Sequence, residues 1–575
     1  MYLLLKIWNI LGKNDKNKVI FLSILMIFAM FLETLSIGLI LPVIGLIVDP
    51  ESFLSLFKSF NAEHVYNNID KNELIFYSLI TLVIVFLVKN IFLSFFYWFQ
   101  FSIAYGAQRN TSKRLFKSYL NEDYNFHIHE NSARLIRNTT TETSQFTLSI
   151  LSSLILITEC FVIIGILTFL LIVDTSSTLI LGIVFILFGF IFQKTTRKLI
   201  GMWGDNRHLF EGMRIQHLQQ GLGGIKEVKL YGREDYFLKI YDFNNLGLSK
   251  MLRNIKFMNQ LPRMLAEFLA VLVVFFLIFT TLLSSKDLVS LIPVLGLLAA
   301  SATRIIPSVN RIMAAVQNLR FSLPVIEMLH KEINNLKSLK TRKEIKDKKK
   351  VSFKDKISFM DVSFKYPSSD KYVLKNVDLE INKGDCVGII GKSGEGKSTF
   401  VDLITGLLKP SSGQITIDNK DIGQNLRPYQ NIIGYVPQNI YFLDSSIKEN
   451  IGFGLDDDEI NEEFIYSLIE KVELTEFIND LPLKLNTKIG EKGIMISGGQ
   501  KQRLGIARAI YHDPSIVIFD EATSALDKLT EQKILESINK LKGDKTMFII
   551  SHDYNTLKIC DKVFKIENTS IQRKE

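Results

Sequence analysis

The chain has 575 residues, too many for one compact core, and a formal net charge of +9. Hydrophobic residues make up 47%, mean hydropathy is +0.19 and Phe occurs 42 times, which excludes global disorder. Cys160, Cys386 and Cys560 lie far apart with no metal-binding spacing, which excludes a disulfide scaffold, and the basic balance points to either nucleic acid or an anionic membrane surface.

Lys6, Lys13, Lys16 and Lys18 lead into a first apolar run, Ile20 to Val48, whose single charge is Glu33. About 20 apolar residues suffice to cross a bilayer. Leu74 to Tyr105 is a second run, broken only by Lys89, and Phe146 to Val173 a third, with Glu159 inside. Thr178 to Phe192, Met264 to Leu283 and Leu288 to Ile312 follow. Six such runs in one half of a chain read as membrane spans rather than as buried core helices. The first is too long for a cleavable signal segment.

Cations cluster in alternate connections. Arg109, Lys113, Arg114, Lys117, Arg134 and Arg137 follow the second run, and Lys194, Arg197 and Lys198 follow the fourth. The intervening loops, Asp49 to Glu73, Asp174 to Ser177 and Ser284 to Asp287, are poor in cations. This asymmetry places both termini in the cytoplasm and assigns the basic charge to membrane lipids, with no nucleic-acid partner. Gln108 to Gln145 and Lys194 to Gln260 have helical periodicity and read as cytoplasmic extensions of the spans, turning near Tyr124 to Phe126 and near Gly221 to Gly232. Phe53, Leu54, Leu56, Phe57 and Phe60 have the spacing of a short amphipathic helix on the outer surface, or of a loop helix packed on the protein.

A Lys-rich stretch, Lys340 to Lys356, then changes the composition. Beyond it short β-branched runs alternate with helical patterns and Gly-rich turns, as in an α/β domain. The expected architecture is an all-α six-helix transmembrane domain over 1–335, a linker over 336–356, and an α/β P-loop ATPase domain over 357–575.

The second half carries the chemistry. Gly391 to Ser398 fits the Gly-x-x-x-x-Gly-Lys-Ser phosphate loop, between a strand (Cys386 to Ile390) and a helix (Thr399 to Leu408). Gly391, Ser393, Gly394, Gly396 and Thr399 would wrap a phosphate with backbone N–H groups at a helix N-terminus. Lys397 would reach the terminal phosphates, and Ser398 would face Mg2+. Ser515 to Phe519 is an apolar strand ending in Asp520-Glu521, where Asp520 would hold Mg2+ and Glu521 would polarise water. Ser497, Gly498, Gly499 and Gln500 open a helix and would form a second anion site. One nucleotide does not need two separate cradles, so the second is read as serving a partner chain's nucleotide.

The order of these motifs resembles the nucleotide-binding domain of ABC transporters. Ile496 to Gln500 resembles the signature motif, with Ile in the usual Leu position. The resemblance implies that Gln438 is the Q-loop glutamine, touching Mg2+, and that Tyr366 stacks on adenine. It implies that Asp527, in Ser524 to Asp527, belongs to the D-loop and that His552 is the switch histidine. Asp553 follows where Arg is frequent. Thr487 to Gly493 resembles the exporter-type loop before the signature. Six spans ahead of one such domain resemble an exporter half-transporter, which implies ATP and Mg2+ as cofactors and two chains sharing two composite ATP sites, a homodimer by default with a heterodimer as the alternative.

Charges within spans bear on the cargo. At 1.5 Å per residue, Lys89 lies about 22 Å and Arg304 about 24 Å from the outer face, and Arg263 sits near the cytoplasmic boundary. Such cations suit a lipid phosphate or pyrophosphate; the alternative is internal pairing, with Glu267 at i+4 from Arg263 and with Glu33 and Glu159. Thr303 to Arg311, Phe31 to Thr34 and Leu41-Pro42 resemble the PglK-type family of bacterial lipid-linked oligosaccharide flippases. That resemblance implies a polyprenyl-pyrophosphate-linked glycan as substrate, carried from the cytoplasmic to the outer face of the inner membrane. The rival is an ABC exporter of drugs, lipid A or peptides.

Overall fold

The computed structural model describes residues 2–40, 43, 46–47, 71–173, 175–283, 292–338, 351–367, 369–490, 493–522 and 528–574. The expected surface helix over 53–60, Asp527 with the rest of Ser524 to Asp527, and most of the Lys-rich stretch lie outside these residues. The chain divides into two units. One comprises 1–122 and 129–341, the other 123–128 and 342–575.

The first unit is helical: α1 Tyr2–Ile10, α2 Lys13–Gly38, α3 Lys71–Asn121, α4 Tyr124–His129 (most of it counted with the second unit), α5 Ser132–Thr139, α6 Thr141–Val173, α7 Thr175–Gly223, α8 Ile225–Leu230, α9 Glu234–Leu283, α10 Ile292–Phe321 and α11 Leu323–Ser338. The six apolar runs fall on α2, α3, α6, α7, α9 and α10. Among the described residues, four helices are long and apolar enough to cross a membrane. A bent pair, Ala302–Phe321 and Leu323–Asn335, raises this to five if it counts as one span. α3 has 51 residues, about 75 Å at 1.5 Å per residue, more than twice a bilayer core. The polar stretches after the second and fourth runs thus continue their helices, and the breaks fall at Asn121 and Gly223. Short helices α4 and α8 follow those breaks.

Helix α6 packs against α2 and α10 through apolar side chains, with Ile37, Val162, Ile166, Leu170 and Ile305 in one cluster. Polar rungs punctuate the α6–α10 seam. Ser308 donates to Glu159 at 2.7 Å, and Gln145 to Ser322 at 2.8 Å.

The second unit holds two sheets. The smaller is antiparallel, in the order β2-β1-β4-β5, from β1 Lys356–Phe364, β2 Leu374–Asn382, β4 Ser412–Ile417 and β5 Lys420–Asp421. The larger runs β10-β9-β3-β8-β7-β6, from β3 Cys386–Ile390, β6 Ile433–Val436, β7 Ile516–Asp520, β8 Thr546–Ser551, β9 Lys562–Glu567 and β10 Ser570–Lys574. β9, β3, β8, β7 and β6 are parallel, with β10 antiparallel at the edge. The central strands are buried on both faces, which is why β7 and β8 are continuous apolar runs rather than alternating ones. Two apolar clusters flank the large sheet, one around Phe519, Ile506 and Ile534, the other around Phe400, Phe548 and Ile389. The helix after the phosphate loop, α12, spans Lys397–Ile404. It stops short of Leu408 because Gly406 turns the chain with φ +70°. Helix α17, Gly498–Ile510, begins at the signature residues.

Candidate active site

Parallel strands with crossover helices leave their carboxyl ends at one edge of the sheet, where ligands bind in open α/β folds. Here β3 ends at the phosphate loop, β7 at Asp520-Glu521, β6 just before Gln438 and β8 just before His552. Four motifs spread between positions 391 and 552 thus meet along neighbouring strands.

The phosphate loop is shaped by its glycines. Gly394 and Gly396 have φ of +86° and +104°, and a Cβ on Gly391 would lie 2.9 Å from the Ile566 carbonyl oxygen. Space around Gly394 is open. The Lys397 ammonium is nearly buried and donates to the Gly391 carbonyl at 2.9 Å and to that of Lys392 at 3.3 Å. Ser398 and Thr399 lie in the first turn of α12, and the Thr399 hydroxyl is 3.1 Å from that of Tyr366. Tyr366 also stands edge-on to Phe364, with centroids 5.1 Å apart. The exposed backbone at a helix N-terminus, an ammonium, a hydroxyl and a carboxylate match a triphosphate with its Mg2+.

Glu521 adopts φ +48°, a conformation that favours glycine, directly after β7. Its N–H donates to Ile550 at 3.0 Å, two residues before His552. One carboxylate oxygen accepts from Gln438 Nε2 at 2.7 Å, and the other lies 3.6 Å from Lys397 Nζ. Glutamine, carboxylate and lysine are therefore one network. Gln438 is held from behind by Gln502, whose amide donates to its carbonyl at 3.4 Å. His552 is exposed at the end of β8. Ser497 caps α17: Gln500 N–H donates to the Ser497 hydroxyl at 3.3 Å, and Ser497 N–H donates to the Gln500 side chain at 2.8 Å. Gly498 and Gly499 are the first residues of that helix, where backbone N–H groups lack intrahelical acceptors.

Two residues here had no motif to mark them. The Tyr435 hydroxyl donates to Asp520 at 3.1 Å, and burial, reinforced by Asp520, pushes that phenol far above its ordinary range. Burial also raises the Asp520 carboxyl, with Glu521 adding to it and Tyr435 and Lys397 opposing. Asp402, on α12, is pushed up to about 6 by burial and then by Asp520. No spacing rule links 402 or 435 to 520.

The intramembrane cations are paired. Arg304 lies 2.9 Å from Glu33 and 3.7 Å from Glu159, Lys89 lies 3.6 Å from Glu33, and Arg311 lies 2.6 Å from Glu159. The solitary cations at Lys89 and Arg304 that would meet a lipid phosphate unaided are therefore absent. The cost of burying a lone charge draws each to a carboxylate on a neighbouring helix. Arg263 pairs with Glu267 at 2.9 Å on an exposed face of α9, outside that network.

The family model for the ABC transporter transmembrane region matches residues 9–305, and the ABC transporter model matches 374–524. The chain is 27% identical to an ATP-dependent lipid A-core flippase of Cupriavidus pinatubonensis, over 79% of this chain and 77% of that one. It is 41% identical to the mitochondrial iron-sulfur clusters transporter ATM1 of Kluyveromyces lactis, over 37% of this chain and 29% of that one. Its fold is similar to that of a bacterial Atm1-family ABC exporter solved with ATP bound, with a TM-score of 0.78 at 18% identity, covering 97% of this chain and 95% of that one. These likenesses are to exporters of the Atm1 and lipid A-core flippase type. They do not single out the PglK-type family.

Proposed function

The chain belongs to the ABC transporter family, as a multi-pass exporter half-transporter that binds and hydrolyses ATP with Mg2+, and on that premise we propose a homodimeric flippase for a polyprenyl-pyrophosphate-linked glycan. The lipid would move from the cytoplasmic to the outer face of the inner membrane, with both termini cytoplasmic. The charge balance of the partly buried cluster, whose carboxylates Glu33 and Glu159 are buried and whose Arg311 is more open, carries this reading. Among the described residues, Lys89, Arg304 and Arg311 face Glu33 and Glu159, one positive charge in excess. Arg304 Nε is buried without a hydrogen-bond partner. An anionic headgroup would neutralise the excess and satisfy that donor. The paired cations thus act as a network, not as separate anchors.

ATP with Mg2+ supplies the free energy and the γ-phosphate bond that water breaks. Lys397 would hold terminal phosphate oxygens, Ser398 and Asp520 would set the metal, and Glu521 would take the proton of the attacking water. Glu521 is engaged by Gln438 and Lys397, so at least one of these must turn away first. His552, at the neighbouring strand end, would contact the γ-phosphate side of the site.

Liposomes holding the purified chain would test this with ATP, Mg2+ and one lipid at a time. Polyprenyl-pyrophosphate glycan should raise ATPase activity and be flipped, and Glu521→Gln should abolish both. A second reading, a lipid A-type saccharolipid, is supported by the likeness to lipid A-core flippases; it predicts the same stimulation by lipid A instead. Stimulation by an uncharged drug alone would defeat both readings.

A further inference from the structure

The edge strand β6 carries a tyrosine that none of the ATP-site motifs includes. β6 pairs with β7 in parallel register, with Tyr435 opposite Ile518. Both lie in or against the apolar cluster around Phe400 of α12. Side chains two apart on a strand share a face. Asp520, two residues beyond Ile518, is therefore on the α12 side of the sheet, and α12 carries Ser398 in its first turn. Two residues of strand span about 6.6 Å. The Tyr435 phenol crosses that interval, and its hydroxyl donates to Asp520 Oδ2 at 3.1 Å.

The end of β6 thus serves both carboxylates of the Asp520-Glu521 pair. Three residues after Tyr435, where the strand has ended, Gln438 Nε2 donates to Glu521 at 2.7 Å. The two donors are held differently. Gln438 is exposed on the loop beyond β6, free to turn with it. Tyr435 is half-buried, fixed by its ladder to β7 and by its ring in the cluster. A hydroxyl donated to an ionised carboxylate makes one of the stronger hydrogen bonds. With Oδ2 so engaged, the Asp520 carboxylate keeps one orientation, and Oδ1 is the oxygen left for the metal.

We infer that Tyr435 is a positioning residue for the metal of the ATP site, holding Asp520 Oδ2 so that Oδ1 is presented to the Mg2+ of the bound nucleotide. The inference rests on Asp520 as the residue that sets the metal, and not on the identity of the cargo. Removing a partner that orients a metal-binding side chain costs about 10- to 100-fold in metal affinity. Tyr435→Phe removes the hydroxyl alone and leaves the ring to fill its place in the cluster.

The full-length chain in detergent, titrated with the non-hydrolysed nucleotide AMP-PNP in EDTA and again in excess Mg2+, tests this by equilibrium binding. The ratio of the two affinities is the gain that the metal confers. Tyr435→Phe should bind AMP-PNP in EDTA as the parent does and lose about 10-fold of that gain. Its ATPase should need correspondingly more Mg2+ for half-maximal rate. Asp520→Asn should lose the gain too, and adding Tyr435→Phe to it should lower the ratio no further, because the hydroxyl acts through the carboxylate. The inference is overturned if Tyr435→Phe keeps the parent's ratio, if its affinity falls equally in EDTA and in Mg2+, or if it lowers the ratio further in the Asp520→Asn chain. If Asp520→Asn alone keeps the full gain, Asp520 does not set the metal, and the inference falls with that reading.

Discussion

Asp402 shows what a single buried carboxyl does to this ATPase unit. It is half-buried on α12, and burial followed by the Asp520 charge raises it from 3.8 to about 6. Between those two values the folded chain keeps a proton that the unfolded chain has released. Stability therefore falls as pH rises through this window, and the full penalty stands above about 6. Asp402→Asn removes the penalty. The variant's ATPase unit should melt at a higher temperature than the parent at about pH 7.5, and the gain should shrink as pH is lowered from about 6 towards 4. Thermal unfolding followed across that range checks it, and a gain independent of pH would show that Asp402 is not the titrating group. Nothing near position 402 in the sequence announces this. Lys397, Ser398 and Asp520 were legible because a phosphate loop, or a strand ending in Asp-Glu, is local chain geometry written in adjacent residues. Asp402 and Tyr435 act through their distance from Asp520, which only the folded sheet creates.

At the scale of elements, the membrane unit's long helices were readable because apolar runs and polar extensions have helical period over dozens of residues. What joins them was not. Glu142, in the first turn of α6, is fully buried, 2.6 Å from Arg207 and 3.0 Å from His208, both on α7, with Arg137 of α5 at 3.7 Å. A partner 65 positions away has no signature in the sequence. The same holds for Arg304: its presence inside a span was legible, but its pairing with Glu33 was one of two alternatives. Glu142→Ala leaves Arg207 buried without its carboxylate, and breaking such a pair costs about 3–5 kcal/mol. The variant in detergent should unfold at a markedly lower temperature than the parent, whereas Lys229→Ala, which removes an exposed pair with Glu234, should change little. Equal effects of the two substitutions would mean that the Glu142 network does not hold α5, α6 and α7 together.

At the scale of the whole molecule, one chain has one phosphate loop and one signature helix, so the proposed homodimer makes a specific demand. If each ATP site takes Lys397 from one subunit and Ser497 to Gln500 from the other, defects in the two elements will distribute unequally. Lys397→Ala inactivates the phosphate loop, and Ser497→Arg blocks the N-terminus of α17, where Ser497 now caps the helix with Gln500. Each variant alone yields dimers with two damaged sites. In a mixed dimer of the two, one composite site receives both lesions and the other receives neither, because the intact phosphate loop of one subunit faces the intact signature of the other. Co-expressing the variants with different affinity tags and purifying the doubly tagged dimer should therefore restore ATPase activity that neither variant has. If the signature instead served its own chain's nucleotide, every site in the mixed dimer would carry one lesion, and the doubly tagged protein would be as inactive as its parents.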